Sequence, residues 1–111
     1  MSQHPTEPPA KVLRHVVLFA FKDAATPPQI QEIERAFAHL PDQIAAIYEF
    51  EWGTDVSVEQ LSQGYTHCFL VTFLSEADRN VYLPHPAHQA FVAMLQPQLE
   101  KALVIDYWSR R

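Results

Sequence analysis

The chain contains little cysteine, little glycine and no long apolar segment. Its single cysteine, Cys68, excludes an intrachain disulfide bond. Residues 1–11 lack the apolar core of a secretory signal, and no apolar run approaches the roughly 20 residues of a membrane helix. We therefore expect a cytoplasmic protein without membrane contact, and we expect Cys68 to be a small buried apolar residue.

Positive charge is also scarce. The net charge is −5 with neutral histidines, and the eight lysines and arginines are scattered along the chain. An acidic chain without a basic surface is poorly suited to bind nucleic acid, because binding to phosphate backbones requires clustered cations. Charged residues make up only 19% of the chain, against about 25% in typical domains, which indicates that part of the surface does not face water.

The length of 111 residues predicts one domain. Residues 1–11, which include three prolines, predict a flexible tail, so the domain spans residues 12–111. Alternating apolar residues predict strands over 13–21, 44–52, 65–73 and 103–108, and helical spacing predicts helices over 27–39, 75–82 and 86–98. Thr26 and Gln29 form a capping box for the first helix, which Pro41 is expected to end. The fold class is therefore α+β, with the βαββαβ order of a ferredoxin-like plait and a four-stranded antiparallel sheet.

Both faces of this sheet are apolar in the sequence, although the helices of one chain cover only one face. The residues predicted to be left uncovered are Val16, Leu18, Cys68, Leu70, Val104 and one side of the aromatic strand 44–52. A large exposed apolar face indicates an interaction site. We expect a homodimer that pairs through the sheet face and forms an α/β barrel, because a second copy is the simplest cover.

Four histidines and a tyrosine are the candidate site residues. His15 and His67 each lie six positions before the end of a central strand, and we expect those strands to run parallel, so that both histidines lie at one end of the sheet. The break at residues 83–86 brings Tyr82, His85 and His88 to the same end. An imidazole there can accept a proton at neutral pH, and a phenol can orient a carbonyl group. Alternatively, each histidine is only a structural residue, or His67, His85 and His88 bind a metal ion; we assign neither metal nor cofactor.

Five sequence blocks resemble the stress-responsive dimeric α/β-barrel (Dabb) family. The blocks are H-V-V-L-F-A-F-K-D (15–23), E-W-G-T-D-V-S (51–57), G-Y-T-H-C-F-L-V-T-F (64–73), Y-L-P-H-P-A-H (82–88) and V-I-D-Y (104–107). The resemblance implies a ferredoxin-like protomer in a homodimeric barrel. The family includes plant polyketide cyclases of the olivetolic-acid-forming type. By that likeness His88 is a general base, Tyr82 holds or polarises the substrate, and His15 and His67 belong to the pocket.

Two functions follow from these observations. The first is a stress-responsive barrel protein that binds a small molecule in a helix-covered pocket without catalysis. The alternative is a cofactor-independent lyase or cyclase of the aldol type, with His88 as the general base, Tyr82 orienting the substrate, and His15, His67 and His85 binding it.

Overall fold

The computed structural model describes residues 9–110, so most of the predicted tail lies outside the described residues. Within residues 9–110, four strands and three helices follow one another, with a 3-10 turn at Gln96–Gln98 before the last strand. They are β1 (Leu13–Phe21), α1 (Pro27–Gln43), β2 (Glu49–Thr54), β3 (His67–Phe73), α2 (Glu76–Tyr82), α3 (Pro86–Leu95) and β4 (Leu99–Trp108).

The strands form one antiparallel sheet in the order β2-β3-β1-β4, which confirms the predicted ferredoxin-like fold class. The expectation that the first and third strands run parallel is wrong. The α1 crossover makes β2 parallel to β1, and the turn between β2 and β3 then reverses the chain, so β3 runs antiparallel to β1.

Helix α1 begins as predicted but ends later. The Thr26 hydroxyl accepts from the Gln29 backbone N–H, and the Gln29 side chain accepts from the Thr26 N–H, which completes the capping box. The helix continues past Pro41 to Gln43, so the expected end at residue 39 is wrong. Pro41 removes only one hydrogen bond near the helix end, while Leu40 and Ile44 are both buried and hold the last turn against the core.

The second strand begins at Glu49 rather than at residue 44, because the chain from Ile44 to Ile47 forms a turn in which the Ile47 N–H donates to the Ile44 carbonyl. The third strand begins at His67, two residues later than predicted. The last strand begins earlier than predicted, at Leu99, and the first strand and α2 follow the predicted ranges closely.

The three helices cover one face of the sheet. The core between the layers is rich in phenylalanine, and the rings of Phe37 and Phe69 stack with centroids 4.3 Å apart. Phe19 and Phe91 pack against the same pair, so β1, β3, α1 and α3 share one core. Contacts between close aromatic rings add to the free energy gained by burying their surface.

The opposite face, here called the open face, carries apolar residues that no helix covers. Its register places Val16 beside Leu70 and Ile105, and Leu18 beside Cys68 and Leu103. Most of the predicted face is therefore confirmed, but Val104 lies on the helix-covered side. One further expectation is wrong, because the aromatic residues of β2 point towards the helices and leave Glu49 and Glu51 on the open face. Cys68 is exposed in the single chain, in agreement with its predicted place on the uncovered face.

Within the described part of the chain, no helix combines the length and the apolar character needed to cross a bilayer.

Candidate ligand-binding site

A cavity of about 280 Å³ lies between the helix-covered face of the sheet and the helices α2 and α3. Most of its wall is apolar. Its polar lining residues are Gln96 and the cluster of His15, Tyr82 and His88, which forms its polar end. The apolar wall comes from Val17, Phe19, Phe37, Leu83, Phe91, Val92, Leu95, Leu99, Ala102 and Val104. A mainly apolar cavity with a few convergent polar groups is the general form of a small-molecule site.

His88 lies in the first turn of α3. Its Nδ1 is 2.9 Å from the Leu83 carbonyl oxygen, and because a carbonyl can only accept, Nδ1 carries the proton. Burial lowers the pKa of His88, nearby His15 and His85 lower it further, and the bond to Leu83 opposes the shift. A neutral ring with a protonated Nδ1 has a free lone pair on Nε2, which is the form that a general base requires.

Tyr82 is the last residue of α2 and is completely buried. Its ring lies 4.3 Å from the His88 ring and 5.8 Å from the His15 ring, measured between centroids. Among residues 9–110, no group hydrogen-bonds the Tyr82 hydroxyl. Burial raises the pKa of Tyr82 far above its ordinary value, so the phenol keeps its proton and can serve only as a hydrogen-bond donor or acceptor.

His15 is anchored by an acidic residue that sequence reasoning gave no role. The His15 Nδ1 lies 2.6 Å from Oδ1 of Asp106, and Nη1 of Arg79 donates to the other Asp106 oxygen at 3.1 Å. These contacts orient the His15 ring from β4 and α2 at once. A signal for Asp106 was present, since it is the one charged residue in the apolar run 102–108. Its partner became visible only from the register that pairs it with His15.

His67 lies outside this cavity, contrary to the expectation that it shares one end with His15. In the pairing of β3 with β1, His67 lies opposite Phe19. Phe19 is four residues from His15, so His67 and His15 are separated by about 13 Å along the strand direction. Both ring nitrogens of His67 are engaged, since Nε2 donates to Glu34 at 2.7 Å and Nδ1 contacts the Thr66 hydroxyl at 2.8 Å. The antiparallel direction of β3 is the reason for this separation.

His85 also lies apart from the cavity. It is the N-cap of α3, and its Nδ1 accepts from the Ala87 N–H at 3.0 Å. The alternative of a metal ion held by His67, His85 and His88 has no geometric basis, because the three belong to different surroundings. In residues 9–110, no three His, Cys, Asp or Glu side chains are grouped to hold a metal ion.

Comparison with known proteins places the chain in a family. Residues 13–109 match the profile described as "Stress responsive A/B Barrel Domain", known as Dabb. The chain therefore belongs to the Dabb family, as the five sequence blocks indicated.

Two relatives in plants are similar over most of the chain. The stress-response A/B barrel domain-containing protein HS1 of Arabidopsis thaliana is 44% identical over 95 residues, which cover 86% of this chain and 87% of the relative. Olivetolic acid cyclase of Cannabis sativa is 34% identical over 99 residues, which cover 89% of this chain and 98% of the relative.

Solved structures agree with this assignment. The hydroxynitrile lyase of Passiflora edulis superposes with a TM-score of 0.84 at 30% identity, covering 91% of this chain and 95% of that chain. A protein of unknown function from Jannaschia sp., described as dimeric and ferredoxin-like, superposes with a TM-score of 0.76 at 28% identity, covering 86% of this chain and 97% of that chain.

Proposed function

We propose that this Dabb protein is a cytoplasmic homodimer that binds a small molecule in the cavity beside His15, Tyr82 and His88. The observation that carries the proposal is the polar end of that cavity. Within the described residues, no protein group bonds Nε2 of His15, Nε2 of His88 or the Tyr82 hydroxyl. The Tyr82 hydroxyl is the one buried side-chain polar atom of residues 9–110 without a partner, and buried polar groups are normally hydrogen-bonded. With the two unpaired ring nitrogens beside it, it is suited to bind polar atoms of a ligand.

The cavity also defines the kind of ligand. A volume of about 280 Å³ is near the lower end of ligand pockets, about 300–1,000 Å³, and favours a compact molecule. Its apolar wall favours a ring or a short hydrocarbon, with one carbonyl or hydroxyl group near the histidines. The Tyr82 hydroxyl is fully buried, so a ligand oxygen reaches it only after a neighbouring side chain moves.

Thermal shift measurements with a panel of 1,3-diketones and alkylphenols test this proposal, because a ligand that binds only the folded state raises the apparent melting temperature. We expect a shift for the wild type that His88→Ala reduces. His39→Ala is the matched control, since His39 is an exposed histidine on α1 beside Asp42. Equal shifts in all three proteins would contradict the proposal.

The homodimer is supported by the open face and by the dimeric relative. Ile105 and Tyr107 of β4 are half-exposed on this face, next to the partly buried Val16 and Leu70. Burying such a face against a second copy removes apolar surface from water. Sedimentation equilibrium should give a dimer for the wild type and a shift towards monomer for Ile105→Asp. A monomeric wild type would refute the homodimer.

A cofactor-independent lyase is the second candidate, and the fixed tautomer of His88 favours it. In an aldol-type reaction, His88 Nε2 would remove a proton from the carbon next to a carbonyl. The resulting enolate would form a carbon–carbon bond with a second carbonyl, whose oxygen would take the proton back from His88. Tyr82 would donate a hydrogen bond to the oxygen that gains charge. The relatives named as a cyclase and a hydroxynitrile lyase support this candidate.

Turnover separates the two candidates. Mandelonitrile, a simple cyanohydrin, releases benzaldehyde and cyanide when its hydroxyl proton is removed, and benzaldehyde is followed by its absorbance. Cleavage by the wild type that His88→Ala abolishes and His39→Ala leaves unchanged would support the lyase. If the protein binds a ligand but neither cleaves mandelonitrile nor condenses the diketones, the non-catalytic binding function is favoured.

A further inference from the structure

Strand β4 has apolar side chains without cover on both of its faces. On the open face, Leu103 is 40% and Ile105 is 53% exposed. Between them, Val104 points to the helix-covered side and is also 53% exposed. The helices therefore stop short of this strand, and packing a second sheet on the open face alone would still leave Val104 in water.

This uncovered strip is also one side of the ligand cavity. Ala102 and Val104 contribute to the cavity wall from β4, and both are exposed. The cavity therefore lies against the edge of the sheet, with only this strand between its interior and solvent on that side. An additional element packed over Val104 would bury it and complete the wall.

The loop between β2 and β3 also carries apolar side chains that are largely exposed to solvent. Val56 and Val58 are each 89% exposed, and Leu61 is 70% exposed. The loop is nevertheless held in a defined shape. The Asp55 N–H donates to the Thr66 carbonyl at 2.8 Å, and Lys101 Nζ donates to the Gln63 carbonyl at 2.7 Å.

The charges on the open face favour one of two possible directions for the two-fold axis of the dimer. A two-fold axis running across the strands would place β2 over β2 of the partner and bring Glu51 of both copies together, while Glu49 is paired with Arg14 of its own chain at 3.6 Å. Like charges at close range are unfavourable. A two-fold axis running along the strands instead places β2 over the apolar β4 of the partner. In that arrangement, equivalent residues of the two copies lie at the same level along the strand direction.

The register then determines where the loop falls. Thr54, the end of β2, pairs with His67, which pairs with Phe19, which pairs with Ala102. In a dimer with its axis along the strands, the chain leaving Thr54 is therefore level with Ala102 of the partner subunit. The exposed valines of the loop follow within four residues.

We infer that residues 55–61 of one copy pack over Ala102 and Val104 of the other, so that each ligand cavity is completed by the partner. This inference rests on the proposed homodimer and ligand cavity. It assigns Val56, Val58 and Leu61 to the ligand site of the partner, although none of them lines the cavity within one chain. The same contact covers the exposed apolar residues of the loop and of β4 at once.

Cross-linking between two different single-cysteine chains tests this contact. One chain carries Cys68→Ser with Val58→Cys, and the other carries Cys68→Ser with Val104→Cys; the two are mixed, exchanged and oxidised. We expect a covalent heterodimer, and the same for Val56→Cys or Leu61→Cys. The control replaces Val58→Cys by Val81→Cys, a 53% exposed valine on α2, and should give none.

The labelling rate of the Val104→Cys thiol by N-ethylmaleimide, in the Cys68→Ser background, tests whether the loop closes the cavity. Adding Val56→Asp and Val58→Asp should speed labelling about tenfold or more, the change expected from losing one buried valine contact. Adding Val81→Asp should leave the rate unchanged.

The outcomes separate this inference from the proposal beneath it. Light scattering shows independently whether the protein is a dimer. If it is a dimer but none of the three loop cysteines gives a covalent heterodimer, the loop contact is refuted and the homodimer is not. Unchanged labelling in the loop variant overturns the closure of the cavity. A monomeric wild type overturns both the homodimer and the inference.

Discussion

Replacing Tyr82 by phenylalanine should stabilise this protein. The hydroxyl is buried without a hydrogen-bond partner among residues 9–110, and an unsatisfied buried polar group costs about 1–3 kcal/mol. Phenylalanine keeps the ring and its contacts with Phe73, His15 and His88, so no cavity forms. We expect the free energy of unfolding to rise by about 1 kcal/mol and the melting temperature by roughly 4 °C.

Urea unfolding followed by circular dichroism measures this change, at one protein concentration because dimerisation contributes to stability. Tyr65→Phe is the matched control. Its ring contact with Lys101, 4.6 Å from the centroid, survives the substitution, and we expect a change below about 0.5 kcal/mol. If Tyr82→Phe lowers the free energy of unfolding by about 1 kcal/mol, the hydroxyl has a partner and the reasoning fails. The same variant should weaken ligand binding, because a polar contact is lost.

Two further predictions concern the histidines. Burial lowers the pKa of His88 in the folded protein. Just below about pH 6.5 the unfolded chain therefore binds more protons than the folded chain, and the stability due to this group is lost as the pH falls. Unfolding measured from about pH 7.5 to about pH 5.5 should therefore show a smaller loss for His88→Gln than for the wild type; equal losses would contradict the burial of this ring. Asp106→Asn should lower the free energy of unfolding by about 1–3 kcal/mol, because His15 and Arg79 both lose a charged partner. Glu76→Gln, which removes the other carboxylate near Arg79, should cost less than about 0.5 kcal/mol, and similar losses in both would refute the role of Asp106.

Local patterns were sufficient for most of the secondary structure. The alternation over residues 13–21 and the capping box at Thr26 and Gln29 depend on near neighbours in the chain, and both are confirmed. The errors came where tertiary packing outweighed a local rule. Pro41 is tolerated because Leu40 and Ile44 bury the last helical turn, and the apolar residues 44–47 serve the core as a turn rather than as a strand.

The candidate site was predicted only in part. Tyr82 and His88 are close in sequence and are brought together by the break between α2 and α3, which two prolines indicate. His15 joins them through the sheet, and its bond to Asp106 spans 91 positions. His67 was misplaced because strand direction depends on how the whole chain is connected.

By itself, the sequence determined the strand and helix order and an apolar sheet face that needs a cover, because these follow from residue types and their spacing. The family followed from the resemblance of five sequence blocks. The tertiary structure alone decided which residues face one another. The antiparallel register joins His15 to Asp106 and removes His67 from the cavity, and it turns Glu49 and Glu51 to the open face. Such contacts depend on strand direction and register, which hydrogen bonds between distant segments establish and no local pattern encodes.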